Sequence, residues 1–150
     1  MKQLLILAAL IKTTFFGFGQ NTMYSFGSDI TVSAQFAAQS PSGIHYDIFQ
    51  VYNSFSHQFI EIIKTENNVQ SEHKLISSNS NSSYYEIHDV LADSYGNLYI
   101  LFINMESKLY LIKFDSELNI LWTTALSETI VSQYYRHKLI FWGEDHLAVS

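Results

Sequence analysis

The chain has 150 residues, 47% of them apolar and 15% charged, with 14 Asp+Glu against 8 Lys+Arg and no cysteine. This much apolar surface excludes a wholly disordered chain, and the lack of cysteine excludes a disulfide framework. The net charge of −6 repels phosphates, and Arg136 with Lys138 is the densest positive spot, which excludes nucleic acid as a partner.

The first residues read as a secretory signal. Lys2 supplies the positive end, Leu4 to Ile11 the apolar run, and Gly17-Phe18-Gly19 a small-x-small cleavage site before Gln20. Residues 1–19 are therefore expected to be removed, leaving an exported chain that is secreted, on the cell surface or periplasmic. Lys12 interrupts the apolar run, which falls short of the roughly 20 residues that cross a bilayer, so no retained membrane span is expected. Loss of Lys2 and Lys12 leaves 6 Lys+Arg against 14 Asp+Glu, a net charge of −8.

After the leader, 10 tyrosines and 11 phenylalanines against one proline in the whole chain favour strands over helices. The chain also repeats. Ile60, Ile62, Ile63, Lys64 and Glu66 lie 49 residues before Leu109, Leu111, Ile112, Lys113 and Asp115. At the same offset of 49, His88, Val90, Leu91, Leu98 and Ile100 precede His137, Leu139, Ile140, Leu147 and Val149. Ser40-Pro41-Ser42-Gly43 resembles Asp93-Ser94-Tyr95-Gly96 at an offset of 53, as a unit with a longer loop would. The units run over about 28–77, 84–126 and 132–150, the last of them breaking off within what reads as its second strand, so residues 20–150 are expected to be a fragment of a longer array.

The best-preserved unit predicts four strands, Tyr84 to Ala92, Leu98 to Ile103, Lys108 to Phe114 and Asn119 to Leu126. Asp93 to Asn97 and Asp115 to Asn119 carry the chemistry of tight hairpin turns, Gly96 being free to take positive φ in the first and Asn119 the residue suited to it in the second. The polar run Ser77 to Ser83 separates two units. Leu98 to Ile103 and Leu109 to Ile112 are apolar at odd and even positions alike, so both faces of their sheet must be covered. The expected fold class is all-β, made of four-stranded antiparallel repeats of about 49 residues in a partial β-propeller, with a β-sandwich or another stacked β array as the alternative.

Asp93, Gly96, Asn97, Tyr99, Lys113, Asp115, Asn119 and Trp122 together resemble the propeller repeats common in exported bacterial proteins. Their pattern runs from an acidic turn and Gly-Asn through an apolar strand and a Lys-x-Asp strand end to a tryptophan strand. Leu118 stands where that pattern has glycine, and Trp142 and Asp145 replace the Asp93 and Gly96 equivalents in the next unit. The resemblance implies a surface or secreted protein of the kind carried by type IX secretion, and it is nearly silent on function.

No catalytic motif emerges. The six histidines show no ligand spacing, there is no Gly-x-Ser-x-Gly or phosphate-cradling loop, and no cofactor is implied. Asp93 and Asn97 are oxygen donors in a tight loop, but the alternating acidic run of a calcium site is missing. Tyr84-Tyr85 and Tyr134-Tyr135 each precede a repeat-equivalent histidine, His88 and His137, and tyrosine can stack on sugars or grip proteins. Tyr84, Tyr135, His88 and His137 are thus the candidate partner-binding residues. The expected function is a secreted or cell-surface binding or adhesion protein with an unspecified protein or glycan partner. The alternative is the N-terminal fragment of an exported propeller enzyme, a lyase, hydrolase or quinone-dependent dehydrogenase, whose site lies past Ser150.

Overall fold

The computed structural model describes residues 30–53, 58–67, 69–77, 86–104, 106–127, 136–142 and 146–150. The expected leader, Tyr84 and Tyr135 lie outside them. The described residues form antiparallel strands and no helix, so none crosses a membrane as a long apolar helix. The first sheet contains β1 (Ile30–Gln39), β2 (His45–Asn53), β3 (Gln58–Glu66) and β4 (Val69–Ser77) in chain order. The second contains β5 (Glu86–Ala92), β6 (Leu98–Ile103), β7 (Leu109–Phe114) and β8 (Ile120–Ala125), again in chain order. A third, two-stranded sheet pairs β9 (Leu139–Trp142) with β10 (His146–Val149). The four strands expected in the second unit are present, with β7 and β8 each a residue shorter at the start because Lys108 and Asn119 close turns.

One turn design occurs four times among the described residues. In Ser40–Ile44, Asp93–Asn97, Asn104–Lys108 and Asp115–Asn119, the first and fifth residues are joined by a backbone N–H···O=C bond, and the fourth N–H returns to the first carbonyl. The side-chain oxygen of the first residue also accepts the fifth residue's N–H, at 3.1, 2.8, 3.0 and 2.7 Å in that order. This is the three-residue hairpin loop whose fourth position requires positive φ. That position holds Gly43 (φ 91°), Gly96 (φ 80°), Ser107 (φ 57°) and Leu118 (φ 59°). In the fourth turn the left-handed residue is therefore Leu118 and not Asn119, correcting the expectation from residue type. Leu118 takes that place with its side chain buried in the core between the first two sheets.

The sheets stack face to face. Alternate residues along each strand point to opposite faces, and the register sets Ile48 opposite Ile62 in the first sheet and Ile100 opposite Ile112 in the second. These four pack with Tyr46, Val90, Phe114 and Leu118 in one core between the two sheets. The other face of the second sheet presents Tyr99, Leu101, Ile103, Leu109 and Leu111, against which Leu139, Phe141 and Leu147 of the third sheet pack. All six residues of β6 are consequently buried, as its unbroken apolar run requires. The outer strand β8 is exposed throughout, and its Trp122 makes an edge contact with Tyr99 of β6 in the same sheet, ring centroids 6.2 Å apart.

Polar bonds tie the stack at its turns. The buried Tyr46 hydroxyl donates to the Gly96 carbonyl at 2.5 Å. Lys74 Nζ donates to the Leu118 carbonyl and lies 5.8 Å from the Phe114 ring centre. The first strands of the units also lie side by side, β1 against β5 and β5 against β9.

Candidate functional site at the junction of β5 and β9

β5 carries a bulge. Ile87 pairs with Phe102 and Asp89 with Leu101, leaving His88 as the extra residue. A bulge re-aims side chains at a strand edge, and here three consecutive residues engage different neighbours. Ile87 enters the core between the first two sheets, while its N–H donates to the buried Gln50 Oε1 of β2 at 3.1 Å. His88, 1% exposed, accepts the His137 N–H at Nδ1 over 3.1 Å. Asp89 Oδ2 accepts the Leu139 N–H at 2.9 Å, and Lys138 Nζ reaches its Oδ1 at 3.4 Å.

The two candidate histidines thus meet. Their rings stack with centroids 5.4 Å apart and planes 22° from parallel, and neither Nε2 has a hydrogen-bond partner among the described residues. Their roles differ despite their equivalence in the repeat. His88 sits within β5 and offers its ring as acceptor, whereas His137 precedes β9 and offers its backbone as donor. Because Nδ1 accepts, the proton of His88 resides on Nε2 and the ring is neutral. Burial holds its pKa below the ordinary 6.5; Glu86 pulls the other way, and the His137 and Arg136 charges add to the lowering. A metal at Nε2 would require that proton to move to Nδ1, where the His137 N–H already points. The other two candidates, Tyr84 and Tyr135, lie outside the described residues, so the structure joins only half of the set.

Asp89 and Gln50 belong to this junction although sequence reasoning does not single them out. Asp89 has a signal: Lys138 follows it by 49 residues, so opposite charges occupy equivalent places in adjoining units. Gln50 has none, since its bond to Ile87 spans two different units.

The Asp93 turn does not offer a cation site. Its Oδ1 accepts the Tyr95 and Asn97 N–H groups at 3.0 and 2.8 Å, and its Oδ2 accepts Asn97 Nδ2 at 2.7 Å and the Tyr99 hydroxyl at 3.1 Å. A carboxylate has about four acceptor positions, and these bonds occupy them. Lys113 Nζ stands 3.9 Å from Oδ2 and 5.0 Å from the Tyr99 ring centre, completing a structural cluster. No group of three His, Cys, Asp or Glu side chains among the described residues is placed to hold a metal. Asn104 closes the next turn with a neutral side chain in the same place, so negative charge is not what the turn needs. Asp93→Ala is expected to cost about 2 kcal/mol through the part-buried bonds it makes to the Asn97 N–H, Asn97 Nδ2 and the Tyr99 hydroxyl, whereas Asp93→Asn costs less than about 1 kcal/mol. Urea unfolding of the two variants separates these values.

Of the remaining histidines, His45 Nε2 pairs with Asp47 at 3.3 Å and His73 Nε2 with Glu61 at 2.8 Å. The hydrogen bond to Asp47 raises the pKa of His45 against its burial. Comparison with protein-family models gives no match, and comparison with curated proteins gives none.

Proposed function

We propose that this chain is part of an exported β-propeller that binds a protein or glycan partner on the cell surface or after secretion, and that the described residues build blades and carry no catalysis. The observation that carries the proposal is the stacking of equivalent units: the second sheet is covered on one face by the first and on the other by the third, with first strands adjacent. Units joined in this way suit radial repetition about an axis, and closing such a ring takes about four to eight blades, so the proposal includes further blades. The acidic turn residues support a scaffold role, because Asp93 and Asp115 spend their oxygens on their own loops. Export is supported by the leader-like residues 1–19.

Partner contact is assigned to Tyr84 and Tyr135, aromatics that can stack on a sugar ring or fill a protein pocket. The test is a glycan-array and surface-protein binding screen of the chain, followed by Tyr84→Ala and Tyr135→Ala. We expect a bound partner whose affinity falls at least about tenfold in either variant, the 1.4 kcal/mol or more of a useful aromatic anchor, with thermal midpoints unchanged. Binding that is unaltered in both variants overturns the assignment to the tyrosines. A screen in which nothing binds overturns the binding function and leaves a passive spacer.

A further inference from the structure

We propose that the contact between His88 and the His137 backbone is a pH-sensitive latch, in which neutral His88 holds the β9–β10 hairpin on the second sheet and protonation of its imidazole releases it. The geometry makes the contact conditional on one proton. Nδ1 accepts the His137 N–H at 3.1 Å, and the remaining ring nitrogen, buried and without a partner among the described residues, already carries the only proton of the neutral ring. Protonation must place a second hydrogen on Nδ1, setting two donors against each other in a site 1% exposed. The His137 ring stacked at 5.4 Å would face the new cation at close range.

The surrounding charges agree with release. From the segment that leads into β9, Arg136, His137 and Lys138 all present cationic or protonatable groups. On β5 itself, Glu86 opposes release, and Asp89 spends its carboxylate on the Leu139 N–H and Lys138. β1, packed on the other side, carries no titratable side chain, and β6 contributes only Tyr99. The hairpin is also small. Its strands are four residues each, and two strands alone are at best marginally stable, so a small change at one anchor shifts its docking.

The sign follows from the lowered pKa of His88. A group whose folded-state pKa lies below its free value binds more protons when released, so docking is at full strength above about pH 6.5 and weakens as the pH falls through the folded-state value. His45 runs the opposite way: raised by its bond to Asp47, its pairing is complete below about pH 6.5 and is lost as the pH rises. Release on acidification should therefore be local to β9–β10, with β2 as an internal control.

The test is an NMR titration of the whole chain, reading histidine ring shifts together with amide exchange corrected for its intrinsic pH dependence. We expect His88 to titrate below 6.5 from the Nε2-protonated tautomer. Protection of the His137 and Leu139 amides should fall by up to about tenfold per pH unit through that titration, while the Ile100 and Leu101 amides stay protected. In His88→Asn the side-chain oxygen can replace Nδ1 as acceptor without titrating, and the protection of His137 should become flat with pH. The proposal is overturned by a His88 that titrates at or above 6.5, by protection in the native chain that does not change with pH, or by the same loss in His88→Asn. Should the variant not fold, the titration of the native chain decides the matter alone.

Discussion

Tyr46→Ala is expected to lower the unfolding free energy by about 4 kcal/mol, the range of a large buried aromatic cut back to a methyl group. Tyr46 is fully buried, it packs between the first and second sheets with Ile48, Ile62 and Leu98, and its hydroxyl caps the carbonyl of Gly96. Its removal opens a cavity on the surface that joins the sheets and orphans a buried acceptor. Tyr46→Phe isolates the second effect and should cost about 1–2 kcal/mol. Burial, followed by Glu66, Asp93, Asp115 and Glu72, pushes the phenol far above its ordinary value, so the hydroxyl is a donor at neutral pH. Urea unfolding, with the midpoint and slope compared across the three proteins, provides the check. A loss on Tyr46→Phe as large as that on Tyr46→Ala would show that the hydroxyl, and not the ring, joins the sheets. Against a total of roughly 5–15 kcal/mol for a small domain, the alanine variant should lose between about a quarter and four fifths of the stability.

Leu118→Gly is expected to destabilise the chain by about 2 kcal/mol, although glycine is the residue that the turn geometry prefers. Two effects compete. Leucine at φ 59° carries a left-handed strain of about 1–2 kcal/mol, which glycine would relieve. The side chain is 1% exposed in the core between the sheets, and losing it costs about 3–5 kcal/mol. Burial outweighs strain. The measurement is again urea unfolding, and a variant as stable as the parent or more so would mean that the leucine is tolerated in the turn and contributes little to the core. At this turn the fourth residue is used as a core residue.

Much of the second unit is legible in the amino-acid sequence. β6 reads as a strand covered on both faces because Leu98 to Ile103 has no polar position, and it is buried at all six. Asp93-Ser94-Tyr95-Gly96-Asn97 reads as a turn because an acceptor and a glycine stand three apart, and that spacing is the turn's hydrogen-bond geometry. The Asp115 turn is legible in place but not in detail. Residue type favours Asn119 for the left-handed position, while packing selects Leu118, and local preference yields to burial when the two conflict. At the candidate site the repeat offset marks His88 and His137 as equivalent, yet equivalence suggests like roles, and the bulge in β5 makes one an acceptor and the other a backbone donor.

Patterns within a few residues therefore determined the strands, their turns and the alternation of faces, since period-two burial and side-chain-to-backbone turn bonds are complete inside a single hairpin. Tertiary structure alone decided which faces meet, which carbonyl Tyr46 caps 50 residues away, and which nitrogen of His88 carries the proton. Those outcomes depend on how whole sheets stack. The stacking is set by side chains some fifty residues apart, whose positions relative to one another no local pattern encodes.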